Sequence, residues 1–281
     1  CDSTNVFSTQ AGKSEESVVE PIKKLISDCS GMVIATTFAS NIARVRTLAN
    51  IGVTSGRSVV LLGTALNRMI SAGFKTGVIT DFPAIVSPEE ALDIPRENLL
   101  LVVTGSQGER RAASAQLSKG KFKGFLLKEN DLFLFSSKVI PGNEVAVSKI
   151  INNLSQIGVD VVDENMGHYH VSGHANRPDL RKFHQMISPE VIIPMHGEHR
   201  MLREHCKLAA EQNINSVLSE FQLKIANSTK INSYKEFYYY NDNNYIKFIH
   251  NKDLNNLKST QIQLSFNLNK YIIDDDNLSN N

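Results

Sequence analysis

The chain has 281 residues, 41% of them apolar, and a formal net charge of +1. That is enough apolar material for a core in one large domain or two smaller ones, and a charge so near neutral excludes polyanion binding through an overall field, so any nucleic-acid contact must be local. Three cysteines, Cys1, Cys29 and Cys206, lack the short regular spacing of a disulfide framework or a cysteine zinc site; they fit a reducing cytoplasm, while no apolar run approaches the roughly 18 residues of a membrane span and no basic-then-apolar leader is read.

The opening Cys1, where an intact reading frame starts with Met, reads as a processed product or as a piece of a longer or broken frame. A polar start leads into an amphipathic stretch from about Glu16 to Ile26. From there to about residue 220, short apolar runs at 32–35, 58–62, 99–103, 131–135, 159–162 and 191–194 alternate with helical patterns near 41–52, 65–73, 109–117, 143–157, 177–187 and 198–212. Most of the runs are continuously apolar, as strands covered on both faces must be. The alternation predicts an α/β fold with a largely parallel sheet. From about Asn227 the composition turns to Asn, Tyr, Lys and Asp. Alternation over Gln261–Phe266 allows a strand there, and Asp274–Asn281 is expected to be disordered.

In an open α/β sheet, ligands gather where strands end and helices begin. Three such ends are small and polar: Thr36–Asn41, Thr104–Glu109, and Ser136-Ser137 followed by Pro141-Gly142-Asn143-Glu144. Each alone is an ordinary turn or helix cap. Three on one edge point to an anion site made from free amides and hydroxyls, although none is a P-loop. Five histidines fall in two further segments, His168-Tyr169-His170-Val171-Ser172-Gly173-His174 and His196-Gly197-Glu198-His199. Clustering at strand ends beside glycine favours ligand or substrate contact over scattered structural roles. His168 and His170 form an H-x-H pair, but Val171 and Ser172 follow where a metallo-β-lactamase zinc motif, H-x-H-x-D-H, would continue.

Six segments in order, Cys1–Asn5, Thr37–Ile42, Thr104–Glu109, Phe135–Ser137 with Ile140–Glu144, His170–Ala175 and Pro194–Glu198, resemble ribonuclease J, a metallo-β-lactamase enzyme with an inserted β-CASP domain, over roughly residues 1–210. The resemblance implies a Rossmann-like parallel-sheet β-CASP domain at 17–170, flanked by metallo-β-lactamase sequence at 1–16 and 171–226, with a diverged or disordered tail at 227–281. It implies that Asp2 bridges two zinc ions and that His196 is the last zinc ligand. His174 would sit beside the scissile phosphate as acid or charge stabiliser, oriented by Glu15. Ser136, Ser137, His170, Ser172 and Gly173 would hold RNA phosphates.

The implied chemistry is metal-assisted hydrolysis of RNA, as a 5′-exonuclease, an endonuclease or both, in the cytoplasm. Two departures qualify it. The H-x-H-x-D-H half of the zinc site does not occur in these residues, and Ala43 stands where the family usually has His. With Asp2 and His196 alone, zinc binding is expected to be weak or absent and the isolated chain inactive. A separate chain carrying the other half, or a homodimer, would then be the partner. The contrasting expectation is a non-catalytic RNA-binding β-CASP module or a degraded relic.

Overall fold

Apolar runs of four or five residues cannot leave either face to water, and a computed structural model of the chain shows how they are covered. It describes residues 1–218 and, beyond them, the backbone of four short strands. The chain divides into two compact units: Lys13–Gly173, and Cys1–Gly12 together with residues from His174 onward.

In the first unit the elements run α1 (Val19–Asp28), β1 (Val33–Thr36), α2 (Ile42–Thr54), β2 (Ser58–Leu62), α3 (Thr64–Lys75), β3 (Leu99–Val103), α4 (Ala113–Leu117), β4 (Leu132–Phe135), α5 (Glu144–Ile157) and β5 (Asp160–Val162). The strands form one sheet in the order β2-β3-β1-β4-β5, parallel throughout. Because successive strand residues face opposite sides, the runs split cleanly. Ile34, Val60, Leu62, Leu101, Val103, Phe133 and Phe135 pack with Val147, Ile150 and Leu154 of α5. Val33, Ala35, Val59, Leu61, Leu100, Val102 and Leu134 pack with Ile22 and Ile26 of α1 and Val45 and Leu48 of α2. This is the parallel α/β architecture that the alternation of runs predicts.

Strand order locates the ligand edge. From β1 the chain leaves to one side of the sheet through α2, and from β4 to the other side through α5, on the opposite face. Neighbouring strands whose connections diverge leave a crevice at their carboxyl ends. Here that crevice lies between Thr36-Thr37 and Phe135-Ser136-Ser137.

One helix is shorter than its pattern. A helix over 109–117 is expected, yet α4 begins at Ala113. Gly105 and Gly108 take φ of +109° and +78°, Ser114 Oγ donates to Gly105 O at 2.8 Å, and Ala112 is extended, so the preceding residues close a loop instead. Asn143 stands at the N-cap position of α5, but its amide donates to Gln107 Oε1 at 3.2 Å rather than capping the helix.

In the second unit, α6 (Arg177–Ile187), β6 (Val191–Ile192), α7 (His199–Glu211) and β7 (Asn215–Ser216) follow one another, with β6 parallel to β7. A capping box from Asn176 and Asp179 starts α6. Residues 1–3 run extended into a turn closed by Val6 N–H on Ser3 O at 3.2 Å; Asp2 bridges to Met195 and Asn5 to Asn176 in parallel fashion, and Val6 packs with Leu180 and Leu208. Phe183, Met186 and Ile187 of α6 remain exposed. Further on, β8 (Phe237–Asp242) pairs antiparallel with β9 (Tyr245–His250), and β10 (Leu264–Ser265) with β11 (Ile272–Ile273). The expected disorder at 274–281 lies outside the described residues. Among the described residues no helix is long and apolar enough to cross a membrane.

Gly52 tests the packing of α2 on the sheet. A Cβ there would meet Leu100 Cδ2 and Val59 Cγ2, each at 2.7 Å. Gly52→Ala should gain up to about 1 kcal/mol of helix propensity and lose about 1–3 kcal/mol to overpacking. We expect a lowered midpoint in urea unfolding.

Candidate functional site

Arg44 begins as an anomaly of pattern: a cation among the apolar positions Val45, Leu48 and Ile51 of α2, fully buried. Asn41 accepts from its backbone N–H at 3.1 Å and fixes the start of the helix. Its guanidinium reaches three separate segments. Nε and Nη2 meet the two carboxylate oxygens of Glu15, the latter at 2.9 Å. Nη1 donates to Ser136 Oγ at 2.8 Å, to Ser136 O at 3.2 Å and to Tyr169 O at 3.1 Å. Ser136 Oγ in turn donates to Tyr169 O at 2.7 Å. The hub therefore joins the approach to α1, the end of β4 and the segment bearing His168 and His170.

Around this hub the crevice carries unused polar atoms. Thr37 Oγ1, Ser137 Oγ and His170 Nδ1 are buried and have no hydrogen-bond partner within the protein. Leaving buried polar groups unpaired costs about 1–3 kcal/mol each, and their grouping at the carboxyl ends of β1 and β4 fits an anion that would accept from the hydroxyls. Of the two expected phosphate-binding serines, Ser136 has its hydroxyl proton committed to Tyr169 O, so the available donor is Ser137. His170 is held near neutral: burial first, then the Arg44 charge, pull its pKa down to about 4 against the opposing pull of Glu15. His168 is tied by Nε2 to Ser17 Oγ at 2.8 Å, while Ser172 and Gly173 lie exposed just beyond His170.

In the other unit, Asp2, His174 and His196 come together. Their candidate ligand atoms all lie within 4.8 Å of one another. Asp2 Oδ1 accepts from Thr4 N at 2.8 Å, and Oδ2 pairs with His174 Nδ1 at 2.8 Å and stands 4.0 Å from His196 Nε2. Burial pushes the Asp2 carboxyl up. The His174 and Thr4 hydrogen bonds and the two imidazoles outweigh it, so Asp2 stays ionised below the ordinary range. His196 takes a left-handed φ of +52°, its carbonyl accepts from Thr4 Oγ1 at 2.9 Å, and its ring stacks with His174 at 5.3 Å. One carboxylate and two imidazoles are the donor set of a catalytic zinc with an open position, so the residues fit such an ion. The acid expected to orient His174 is Glu15. In the structure Glu15 grips Arg44 with both oxygens, and the carboxylate on His174 Nδ1 is that of Asp2.

Sequence reading brought forward Asp2, His174 and His196, which lie together in one unit, and Glu15, Ser136, Ser137 and His170, which lie in the other. It did not single out Arg44, nor, within the Thr36–Asn41 loop it brought forward, the buried Thr37 hydroxyl. The signal for Arg44 was a charge on the apolar stripe of α2.

Comparison with known proteins adds the relationship. Residues 30–154 match the family model for the ribonuclease J beta-CASP domain, and residues 158–219 match that for the Zn-dependent metallo-hydrolase RNA specificity domain. Ribonuclease J of Sinorhizobium meliloti is 36% identical over 217 residues, covering 77% of this chain and 38% of that protein. Ribonuclease J of Mycoplasma pneumoniae is 36% identical over 217 residues, and ribonuclease J 1 of Streptococcus pyogenes 34% over 214, each covering 76% of this chain and 38% of the relative. The chain thus spans 38% of the length of these relatives.

Two outcomes follow from the hub. Arg44→Met strips the partner from a half-buried Glu15 and from two carbonyls, and should destabilise the fold by about 3–5 kcal/mol in chemical unfolding; adding Glu15→Gln should recover part of the loss. For His170 the folded pKa is depressed from 6.5 to about 4, so its contribution to stability is complete above pH 6.5. As pH falls towards 4 the unfolded chain takes up a proton that the folded chain refuses, and stability declines. Urea unfolding at pH 7.5 and 5 should show that decline, and His170→Gln should shrink it.

Proposed function

The chain belongs to the ribonuclease J family, a family of metallo-hydrolases, and from that premise we propose that it serves as the RNA-gripping part, and one portion of the zinc-binding part, of a cytoplasmic ribonuclease that hydrolyses RNA phosphodiesters by 5′-exonucleolytic or internal cleavage. The observation that carries this reading is the crevice at the ends of β1 and β4, where Thr37, Ser137 and His170 present unpaired buried polar atoms beside a saturated Arg44. Its donors suit a phosphate group, and the Arg44 network beside it is already complete, which limits the ordering cost of binding.

In this reading Thr37 and Ser137 donate to phosphate oxygens, and His170, neutral at physiological pH, presents its remaining ring nitrogen. Ser172 and Gly173 let the backbone approach the RNA closely. In the other unit, Asp2 and His196 would hold zinc. Zinc, when bound, supplies Lewis-acid stabilisation of charge developing on phosphate oxygens. His174, its Nδ1 turned to the ionised Asp2, keeps Nε2 directed away from the carboxylate, where an imidazole can hold or pass on a proton. Glu15 acts through Arg44 by fixing the crevice, and the orienting acid for His174 is Asp2. Two protein donors do not complete a two-ion centre, so the 281 residues by themselves should not turn over RNA; a separate polypeptide segment carrying the H-x-H-x-D-H ligands would supply the rest.

The test separates grip from cleavage. The purified chain should bind a 5′-monophosphorylated oligoribonucleotide saturably, and Thr37→Val or Ser137→Ala should weaken binding about tenfold, the value of one hydrogen bond to a charged group. With zinc added, the same oligonucleotide should stay intact. Binding indifferent to both substitutions would remove the phosphate reading, and zinc-dependent decay abolished by His174→Ala would remove the claim that these residues alone are inactive.

A further inference from the structure

A second cluster of donors lies in the unit that holds Asp2, and its chemistry differs from that of the Asp2, His174 and His196 group. Cys1 Sγ and ring nitrogens of His184 on α6 and His205 on α7 lie within 4.8 Å of one another. Both imidazoles are buried, at 1% and 0% exposure. They stack 5.1 Å apart at 17°, with their Nε2 atoms 3.1 Å from each other.

The outer sides of the two rings decide where the protons sit. Gln212 Nε2 donates to Arg181 O at 3.0 Å, which turns its Oε1 to His184 Nδ1 at 2.9 Å. An amide oxygen only accepts, so His184 carries its proton on Nδ1 and offers a lone pair at Nε2. His205 Nδ1 faces Ser3 Oγ at 2.9 Å. The Ser3 hydroxyl has an acceptor of its own in Cys1 O, at 3.5 Å, and is then free to accept from Nδ1. Both rings then present Nε2 lone pairs to each other beside a thiol. That arrangement is repulsive in a dry interior unless a cation lies among the three donors. Two imidazoles on one tetrahedral zinc, at Zn–N of about 2.0–2.1 Å, hold their nitrogens about 3.3 Å apart, close to the spacing observed. The outer-side hydrogen bonds to Gln212 and Ser3 are also what orients imidazole ligands in metal sites.

We propose that Cys1, His184 and His205 form a structural site for a divalent zinc-type ion, bound by one thiolate and two neutral imidazoles with a fourth position left for another ligand. Binding forms one metal–sulfur and two metal–nitrogen bonds and releases the thiol proton to solvent. A thiolate with two imidazoles selects zinc over magnesium or calcium, which take oxygen ligands. The ion fastens the extended segment at Cys1–Ser3 to both helices, and so fixes the backbone from which Asp2 projects. The site lies beyond the ribonuclease reading and does not depend on it.

Cobalt(II) distinguishes this site from its neighbour, because only a thiolate ligand gives an intense sulfur-to-cobalt charge-transfer band in the near ultraviolet. Titration of the reduced, purified chain with cobalt should produce that band with an endpoint of one ion per chain for the sulfur-bound species, and zinc should bleach it. Cys1→Ala and His184→Leu should each abolish it, whereas His196→Ala should leave it unchanged. Circular dichroism checks that the variants fold, and Cys1→Ala, the smaller change, carries the test if His184→Leu does not. Absence of the band in the unaltered chain, or its persistence in Cys1→Ala, would overturn the proposal. The two rings would then be a plain hydrogen-bonded pair, with Ser3 donating to His205 Nδ1 and His205 Nε2–H donating to His184.

Discussion

A guanidinium carried into a protein interior must have its N–H groups answered, and the arrangement of the larger unit follows from how Arg44 meets that demand. Glu15 answers the charge; Ser136 and Tyr169 answer the remaining donors. Lysine could not replace it, since a point-like ammonium cannot span a carboxylate on one side and the end of a strand on the other. The cost of burying the pair is offset only because the network is complete. Completion has a consequence for function: Ser136 is spent on structure, and Ser137, one residue further along, is left with an unanswered hydroxyl.

That unanswered group sits where the topology says polar atoms can be tolerated. Within the sheet both faces are covered, and even Thr36, the last residue of β1, turns its hydroxyl inward to Val103 O at 3.0 Å. Polarity is confined to the residues just past the strand ends. Because β1 and β4 are neighbours whose helices leave to opposite faces, the topology puts the ligand crevice at those ends. Crevice and orphaned atoms thus share one cause, the strand order β2-β3-β1-β4-β5.

The strands were legible because a run such as Leu99–Val103 has only one environment open to it, a sheet covered twice. Helix caps were harder to read, since Asn143 bonds Gln107 instead of capping α5, and α4 was misjudged because a helical pattern at 109–112 yields to the backbone that Gly105 and Gly108 impose. The histidine segments announced themselves by clustering. What could not be read were the pairings across distance. Arg44 finds Ser136 and Tyr169 across 92 and 125 residues, and Asp2 finds His174 across 172. His184 and His205, each alone on its helix, carry no clustering signal in the sequence and meet only where α6 and α7 lie side by side.

The two donor groups of the smaller unit differ in the way their surroundings require. Cys1 and Asp2 are adjacent in an extended segment, and an extended segment sends neighbouring side chains to opposite sides. Ser3 goes inward to His205, and Thr4 goes to the His196 carbonyl. Odd positions therefore face a buried pair of imidazoles held by Gln212 and Ser3, and even positions face the partly open pair His174 and His196, whose side chains are 40% and 70% exposed. Buried, sulfur-containing sets suit an ion that holds structure, and exposed sets of oxygen and nitrogen suit an ion that must admit substrate. A four-residue segment can serve both because its side chains leave to alternate sides, and an ion fastening one side would limit how far Asp2 can drift on the other.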